Sequence, residues 1–154
     1  TIKLHTAHHL LLASLQQILS KQVKQRCSNI NQERLRLDFV FDRKLTDEEK
    51  KRVEELVNEK IKNNLPVGRK EMSKGKAEKL GAEMEFGRKY GDTVSVYFIG
   101  PSSTSGQAFS LEFCAGPHVS RTGELGHFRI LKEEPVAAGI RRIKAVLELK
   151  NNEK

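Results

Sequence analysis

The sequence contains no tryptophan, and aromatic residues of all kinds make up only 6% of its 154 residues. Surfaces that bind single-stranded nucleic acids by base stacking depend on aromatic side chains, so the composition weighs against such a surface. The longest apolar stretch, residues 10–13, is far too short to cross a bilayer. The two cysteines indicate no disulfide framework, and no signal-peptide pattern is visible. We therefore expect a protein of the reducing cytoplasm.

Positive charge is present in excess. The formal net charge is +8, because 28 lysines and arginines outnumber 20 aspartates and glutamates. Such a surplus favours a polyanionic partner such as a nucleic acid. With 37% hydrophobic residues in a chain of this length, we predict a single domain over residues 1–154 that buries its own core.

Two long helices and several strands are indicated by the periodicity of apolar residues. Leu4, Leu11 and Leu15 lie near one face of a predicted helix over 3–19, and Thr46 with Glu49 forms a capping box that starts a second helix over 47–63. Apolar residues alternate in several segments, which predicts strands over 34–41, 67–72, 93–99, 126–133 and 139–149. We also predict a short helix over 74–85, an exposed loop over 101–107 and a frayed end over 151–154. The simplest architecture is α+β, a two-layer sandwich of long helices on an antiparallel sheet.

Two pairs of metal-binding residue types share one spacing. His5 and His9 are four positions apart within the first predicted helix, which places both on one helical face. Cys114 and His118 have the same separation, around a predicted turn at 116–117. Either pair alone suits ordinary surface residues, but the two nitrogen and sulfur pairs together favour a zinc site.

Longer motifs resemble the editing domain of alanyl-tRNA synthetases. The segment HTAHHLL at 5–11 looks like the HTATHLL signature of that family, and further similar segments follow in the same order: RLRLDF (34–39), VNEKIKNNLPV (57–67), GAEMEFGRKYGD (81–92), CAGPHVSRTGELGHF (114–128) and AAGIRRIKAVL (137–147). Threonyl-tRNA synthetases have a related domain, but the last segment is more similar to the alanyl branch. The resemblance implies a fold like that of class II synthetase editing domains, in a free-standing editing protein or in a segment of a synthetase.

The resemblance also implies an activity and a site. Members hydrolyse mischarged aminoacyl-tRNA, here chiefly seryl-tRNA(Ala) with glycyl-tRNA(Ala) as a second substrate, and the alanyl branch binds zinc at positions that correspond to His5, His9, Cys114 and His118. Gln25 takes the place of a glutamine in the editing pocket, and Thr6, beside a zinc ligand, is our candidate to contact the serine hydroxyl. Basic residues that follow the second metal pair are predicted to hold tRNA phosphates, namely Arg121, Arg129, Arg141, Arg142 and Lys144.

Several positions depart from the family pattern. His8 replaces a threonine, Cys27 replaces a glycine, and CAGPH (114–118) replaces CGGTH. We predict that His8 is a neighbour of the metal rather than a ligand, although its position also allows it to partner His5. Cys27 can in principle approach the metal, but we predict a small buried residue on a strand. Pro117 has neither the backbone N–H nor the hydroxyl of the usual threonine, so any orienting contact through those groups is in doubt.

The chemistry leaves a second function open. Zinc can acidify water or polarise an ester carbonyl, but three histidines and one cysteine fill a tetrahedral shell, and filled shells are usually structural. The alternative is therefore a zinc-stapled tRNA-binding module without catalysis, which needs no polar group such as Gln25 at its pocket. Glu112 lies close to Cys114 in the sequence and is a further acidic candidate, although we favour a solvated strand residue. Oligomeric state is not indicated by any of these patterns.

The paired spacing predicts one metal ion per chain. Protein purified without added metal should contain about one equivalent of zinc by elemental analysis, and Cys114→Ala should lose the ion and become less stable, because metal binding is coupled to folding. Cys27→Ala is the matched control and should retain the metal. A well-folded, active and metal-free protein contradicts the prediction.

Overall fold

The computed structural model describes residues 1–84, 88–100 and 108–148. In these ranges the elements are, in chain order, α1 (Ile2–Ile18), β1 (Gln25–Ile30), β2 (Leu35–Val40), α2 (Asp47–Lys62), β3 (Val67–Ser73), α3 (Lys74–Lys79), β4 (Thr93–Ile99), β5 (Ser110–Phe113), a 3-10 helix (Thr122–Leu125), β6 (His127–Ala137) and β7 (Ile140–Glu148). The predicted loop over 101–107 and the predicted frayed end over 151–154 lie outside the described residues. Among the described helices, none is both long and apolar enough to cross a membrane.

The strands form two antiparallel sheets rather than the single sheet that was predicted. β1, β2, β7 and β6 make up a four-stranded sheet in that order, and β3, β4 and β5 make up a three-stranded sheet. The α+β class with antiparallel pairing is confirmed. The sandwich of long helices on one sheet is not confirmed, because α3 is short and the described chain has more residues in strands than in helices.

Helix α1 is buried around most of its circumference. It contacts strands of both sheets and also packs against α2, whereas an ordinary amphipathic helix keeps one face in water. Its polar residues Thr6, His8 and His9 are therefore buried together with its leucines. Buried polar groups are costly unless they find partners inside the protein, so the packing of α1 requires an interior polar site.

Local signals set the ends of α2 and α3. The predicted capping box is confirmed, since Glu49 N–H donates to Thr46 Oγ1 at 3.0 Å and Thr46 N–H donates to the Glu49 carboxylate at 2.9 Å. Helix α3 ends at Lys79, short of the predicted end at residue 85. The cause is Gly81, whose φ of 82° is the left-handed conformation that terminates helices.

Two short strands were predicted only at single residues, Cys27 and Glu112, and without element bounds. β1 follows the turn after α1, and β5 precedes the Cys114 segment. β1 carries several polar residues and lacks the apolar alternation that identified β2, and β5 alternates over four residues only. The other predicted strands correspond to β2, β3, β4, β6 and β7, with ends that differ by a few residues.

The Glu49 carboxylate makes the α2 cap sensitive to acid. A hydrogen bond from Arg43, and then those from Thr46, lower the pKa of Glu49 from 4.5 to about 2. Such a carboxylate stabilises the fold above its unfolded pKa, and this contribution is lost as the pH falls towards the folded pKa. Glu49→Gln keeps the capping hydrogen bonds but removes the charge, so it should lower the unfolding free energy by roughly 0.5–1 kcal/mol near neutral pH.

The pH dependence of that difference is the decisive measurement. Denaturant unfolding of wild type and Glu49→Gln should give free energies that converge as the pH falls from 4.5 towards 2. Glu48→Gln, in the same first turn but outside the capping box, is the control and should show a smaller difference in this window. A Glu49→Gln difference that does not change with pH contradicts the assignment.

Candidate metal centre

Helix α1 and the segment after β5 bring the four predicted donors together. The ligand atoms of His5, His9, Cys114 and His118 all lie within 4.8 Å of one another, and His8 is not in this group. Cys114 Sγ is 3.2 Å from His118 Nε2 and 3.6 Å from His5 Nε2. Sulfur and nitrogen ligands of one tetrahedral zinc ion lie about 3.5 Å apart, given typical Zn–S and Zn–N bond lengths. The donor set and its spacing therefore fit a zinc ion.

Burial keeps His8, His9 and His118 in the neutral form that metals bind. Burial, followed by repulsion from His5 and His8, lowers the pKa of His118 to about 3. Burial is also the largest cause at His9, whose pKa lies well below its ordinary value, and at His8, whose pKa falls to about 4. A histidine ligand must be deprotonated to bind a metal. These rings therefore present free nitrogen lone pairs near neutral pH.

Thr6 holds His118 from the side opposite to the donor cluster. Its side chain is fully buried, and its Oγ1 lies 2.8 Å from His118 Nδ1, 3.2 Å from Val119 N and 3.3 Å from Ile2 O. With Nε2 of His118 bound to a metal ion, Nδ1 would carry the proton and donate to Thr6. Thr6 also accepts from Val119 N–H and donates to Ile2, which occupies its whole hydrogen-bonding capacity. The predicted contact of Thr6 with a substrate hydroxyl stays a prediction.

The turn from Cys114 to His118 depends on Gly116. Its N–H donates to Cys114 Sγ at 3.3 Å. Gly116 has a φ of 78°, and a Cβ added there would lie 2.2 Å from Tyr97 Oη, so a larger residue does not fit. The Tyr97 ring packs edge-on against His118 at a centroid distance of 4.3 Å. The departure at Pro117, which follows through a cis peptide bond, thus leaves in place the glycine that the turn requires.

The prediction that Glu112 is a solvated strand residue is wrong. Glu112 is 6% exposed, and its Oε2 lies 3.4 Å from His9 Nδ1. Side chains alternate along a strand, and in β5 the apolar residues Leu111 and Phe113 belong to a small core with α3 and β4. Glu112 therefore points to the other face of β5, where it meets α1 rather than water.

A cavity of about 170 Å³ borders the donor cluster. Besides His5, His9 and Cys114, its polar lining comprises His8, Gln25, Ser28, Arg88 and Glu112. Its volume is below the range of about 300–1,000 Å³ that is typical of sites for drug-sized ligands. The cavity therefore suits a small chemical group.

A β-bulge in β1 decides which of its residues line the cavity. The pairing of β1 with β2 shifts register between Gln25 and Cys27, and a bulge redirects the side chains that follow it. Gln25 and Ser28 consequently share the cavity face, and Gln25 Nε2 donates to Ser28 Oγ at 3.4 Å. Cys27 is exposed and outside the metal group, so its prediction as a buried residue is wrong. Sequence reasoning missed Ser28 because no local pattern marks the bulge.

Comparisons with known proteins bear on the origin of this site. The family described as threonyl and alanyl tRNA synthetase second additional domain matches residues 94–144, a range that includes Cys114 and His118. The chain is 53% identical to the alanine–tRNA ligase of Borreliella burgdorferi over 147 residues, which is 96% of this chain and 24% of that protein. It is 50% identical to the ligase of Treponema pallidum over 154 residues, 100% of this chain and 24% of that protein. The chain belongs to the editing-type domains of the alanyl-tRNA synthetase family.

A more distant alanyl-tRNA synthetase relative gives the same result. The alanine–tRNA ligase of Caulobacter vibrioides is 44% identical over 143 residues, which covers 92% of this chain and 16% of that protein. The chain spans about a quarter of the length of the first of these relatives. The similarity thus extends over α1 and β1 as well as the range matched by the family description.

The basic residues predicted to contact tRNA all have partners within this editing-type domain. Arg121 donates to the Asn64 carbonyl, and the other four form ion pairs: Arg129 with Glu148, Arg141 with Glu133, Arg142 with Asp38 and Lys144 with Glu134. A phosphate would have to compete with these partners. Arg88, whose guanidinium lies over the Tyr90 ring, lines the cavity beside the donor cluster and also an adjoining cavity of about 230 Å³, which Lys89 lines as well.

Thr6→Val tests the orienting role of the buried hydroxyl in this editing-type domain. The substitution preserves shape but leaves His118 Nδ1–H and Val119 N–H without their acceptor. We expect zinc affinity, measured by chelator competition, to fall about 10- to 100-fold and the unfolding free energy to fall by about 1–3 kcal/mol.

Thr122→Val is the matched control. Thr122 is equally buried. Its hydroxyl accepts from Leu65 N–H and donates to the Lys60 carbonyl, and neither of these residues belongs to the metal-binding group. It should destabilise the fold to a similar extent without changing zinc affinity. Wild-type zinc affinity in Thr6→Val would show that Thr6 does not orient His118.

Proposed function

We propose that this domain is a zinc-dependent aminoacyl-tRNA deacylase, which hydrolyses the ester bond of mischarged tRNA(Ala) as proofreading in cytoplasmic protein synthesis. Seryl-tRNA(Ala) is the chief substrate and glycyl-tRNA(Ala) a second one, whereas alanyl-tRNA(Ala) is spared. The observation that carries the proposal is the group of His5, His9, Cys114 and His118 in the wall of a small cavity that Gln25 also lines. Membership of the alanyl-tRNA synthetase family supplies the substrate class.

The size of the cavity supports an aminoacyl group as its occupant. Hydrolysis of an aminoacyl ester needs a positioned water and stabilisation of the charge that develops on the carbonyl oxygen. A zinc ion held by the four donors would supply Lewis acidity for either task. The role of the chain is to hold the ester beside the donors, and a volume of about 170 Å³ admits the amino acid while the bulk of the tRNA remains outside.

Selection of serine over alanine requires a group that recognises one hydroxyl. A site that hydrogen-bonds a substrate hydroxyl rejects the analogue without it by as much as roughly 10⁴–10⁵-fold. Gln25 is the first candidate, because it lines the cavity and its amide N–H₂ donates to Ser28, while an amide oxygen can accept a hydrogen bond from a substrate hydroxyl. His8 Nε2 is a second candidate, since it lies at the cavity and has no hydrogen-bond partner among the described residues. Glycine has no side-chain hydroxyl, so its cleavage depends on fit.

The acceptor end of the tRNA approaches through the two cavities that share Arg88. Arg88 lines both, and Lys89 lines the outer one, so their charges flank the path to the donor cluster. The overall charge of +8 attracts the polyanion at longer range. In this proposal the five residues predicted from the sequence, Arg121, Arg129, Arg141, Arg142 and Lys144, serve tRNA only where phosphate displaces their present partners.

A non-catalytic, zinc-stapled tRNA-binding module is the second candidate function. The observation in its favour is that all four donors converge, which fills a tetrahedral shell in the manner of structural sites. The two functions share the metal, the charge and the family. They differ in whether bound seryl-tRNA(Ala) is hydrolysed.

A deacylation assay with separately charged tRNAs distinguishes the two functions. Zinc-loaded protein should release serine from seryl-tRNA(Ala) much faster than alanine from alanyl-tRNA(Ala), and removal of zinc should abolish the release. Gln25→Ala should reduce the preference for serine by roughly 10- to 100-fold, the value of one or two lost hydrogen bonds. The exposed Gln22, in the turn before β1, offers the control Gln22→Ala, which should behave as wild type.

Two results of the deacylation assay would contradict parts of the proposal. Zinc-loaded protein that binds tRNA but hydrolyses neither ester supports the non-catalytic module. Hydrolysis with an unchanged serine preference in Gln25→Ala shows that another residue reads the hydroxyl, and His8 is then the next to substitute.

A further inference from the structure

His9 has a buried ring nitrogen without a hydrogen bond to any described residue. The side chain of His9 is 2% exposed, and its Nδ1 has no hydrogen-bond partner among the described residues. A buried donor without an acceptor is costly, and such atoms are rare in folded proteins. The nearest acidic oxygen is Oε2 of Glu112, at 3.4 Å. A charge-assisted hydrogen bond is shorter, about 2.7–2.9 Å, so a shift of about half an ångström completes it.

His118, on the other side of the cluster, has a hydrogen bond at the equivalent ring nitrogen. His118 has Nε2 towards Cys114 and Nδ1 against a protein oxygen, that of Thr6, at 2.8 Å. Metal-binding histidines commonly donate their second N–H to an oxygen, which fixes the tautomer and the ring orientation. His9 has a protein carboxylate in the equivalent place. Two of the three histidines thus have an oxygen behind the ring, from α1 in one case and from β5 in the other.

We propose that Glu112 is a positioning residue for the metal site: its carboxylate accepts the Nδ1 proton of His9 and directs His9 Nε2 at the metal. The carboxylate makes the imidazole a stronger electron donor and adds negative charge beside a divalent cation. Strand β5 places Glu112 beside His9 because Leu111 and Phe113 point to the other face of the strand, where they pack in the small core with α3 and β4. This inference rests on the zinc site of the proposed function and is independent of whether the domain hydrolyses an ester.

The tautomer of His9 in the zinc-loaded wild-type domain is the primary test. Long-range ¹H–¹⁵N correlation spectra identify which ring nitrogen carries the proton and which binds the metal. We expect a protonated Nδ1 and a zinc-bound Nε2 for His9, as for His118. A zinc-bound Nδ1 at His9 overturns the proposal, and this measurement needs no substitution that endangers the fold.

Glu112→Gln tests the contribution of the charge. The substitution keeps the shape, and chelator competition should show zinc affinity reduced about 10- to 100-fold. Glu83→Gln is the matched control: Glu83 forms a bridge with Glu112 in the backbone and lines the neighbouring cavity, but its carboxylate pairs with Lys24. It should bind zinc as wild type does. Equal zinc affinities for Glu112→Gln and Glu83→Gln overturn the proposal.

These readouts are taken without tRNA, so they separate the inference from the proposed function. Failure to hydrolyse seryl-tRNA(Ala), combined with the expected His9 tautomer and the Glu112→Gln loss, overturns the deacylase and leaves the positioning role standing. Hydrolysis of seryl-tRNA(Ala) by a protein whose His9 binds zinc through Nδ1 supports the deacylase and overturns the positioning role of Glu112.

Discussion

The contact between α1 and the segment that follows β5 is the constraint on which the site depends. His5 and His9 lie one helical turn apart on α1. Cys114 directly follows the last residue of β5, and the chain turns between Cys114 and His118. Neither pair can hold a metal tetrahedrally by itself. A single hydroxyl ties the two segments, because Thr6 on α1 bonds both the backbone of Val119 and the ring of His118.

The burial of α1 explains why that contact is polar. A helix placed against two sheets cannot turn its polar residues to water, so they must be satisfied inside. Thr6 achieves this with a complete set of hydrogen bonds, whereas His5 and His9 contribute ring nitrogens to the donor cluster. A zinc ion held by these ring nitrogens and by Cys114 would couple the stability of the α1 packing to metal binding.

Sequence reasoning reached the parts of this structure that short-range patterns determine. The i+4 spacing of His5 and His9 and the capping box of Thr46 and Glu49 depend on residues within one turn, and both occur in the structure. The division into two sheets was not predicted, because the choice of partners for β3 and β5 depends on residues far apart in the chain. Glu112 was misjudged for a related reason: a polar residue on a short strand is normally solvated, and the sequence does not reveal that both faces of β5 are covered.

The metal centre itself allows the most direct test of the account. X-ray absorption at the zinc edge on protein purified without added metal determines the number and type of ligands. A zinc ion held by His5, His9, Cys114 and His118 should show three nitrogen ligands at about 2.0–2.1 Å and one sulfur ligand at about 2.3 Å, with the sulfur lost in Cys114→Ala. A zinc ion coordinated by nitrogen and oxygen alone, or an absorption spectrum unchanged by Cys114→Ala, contradicts a site shared between α1 and the segment after β5.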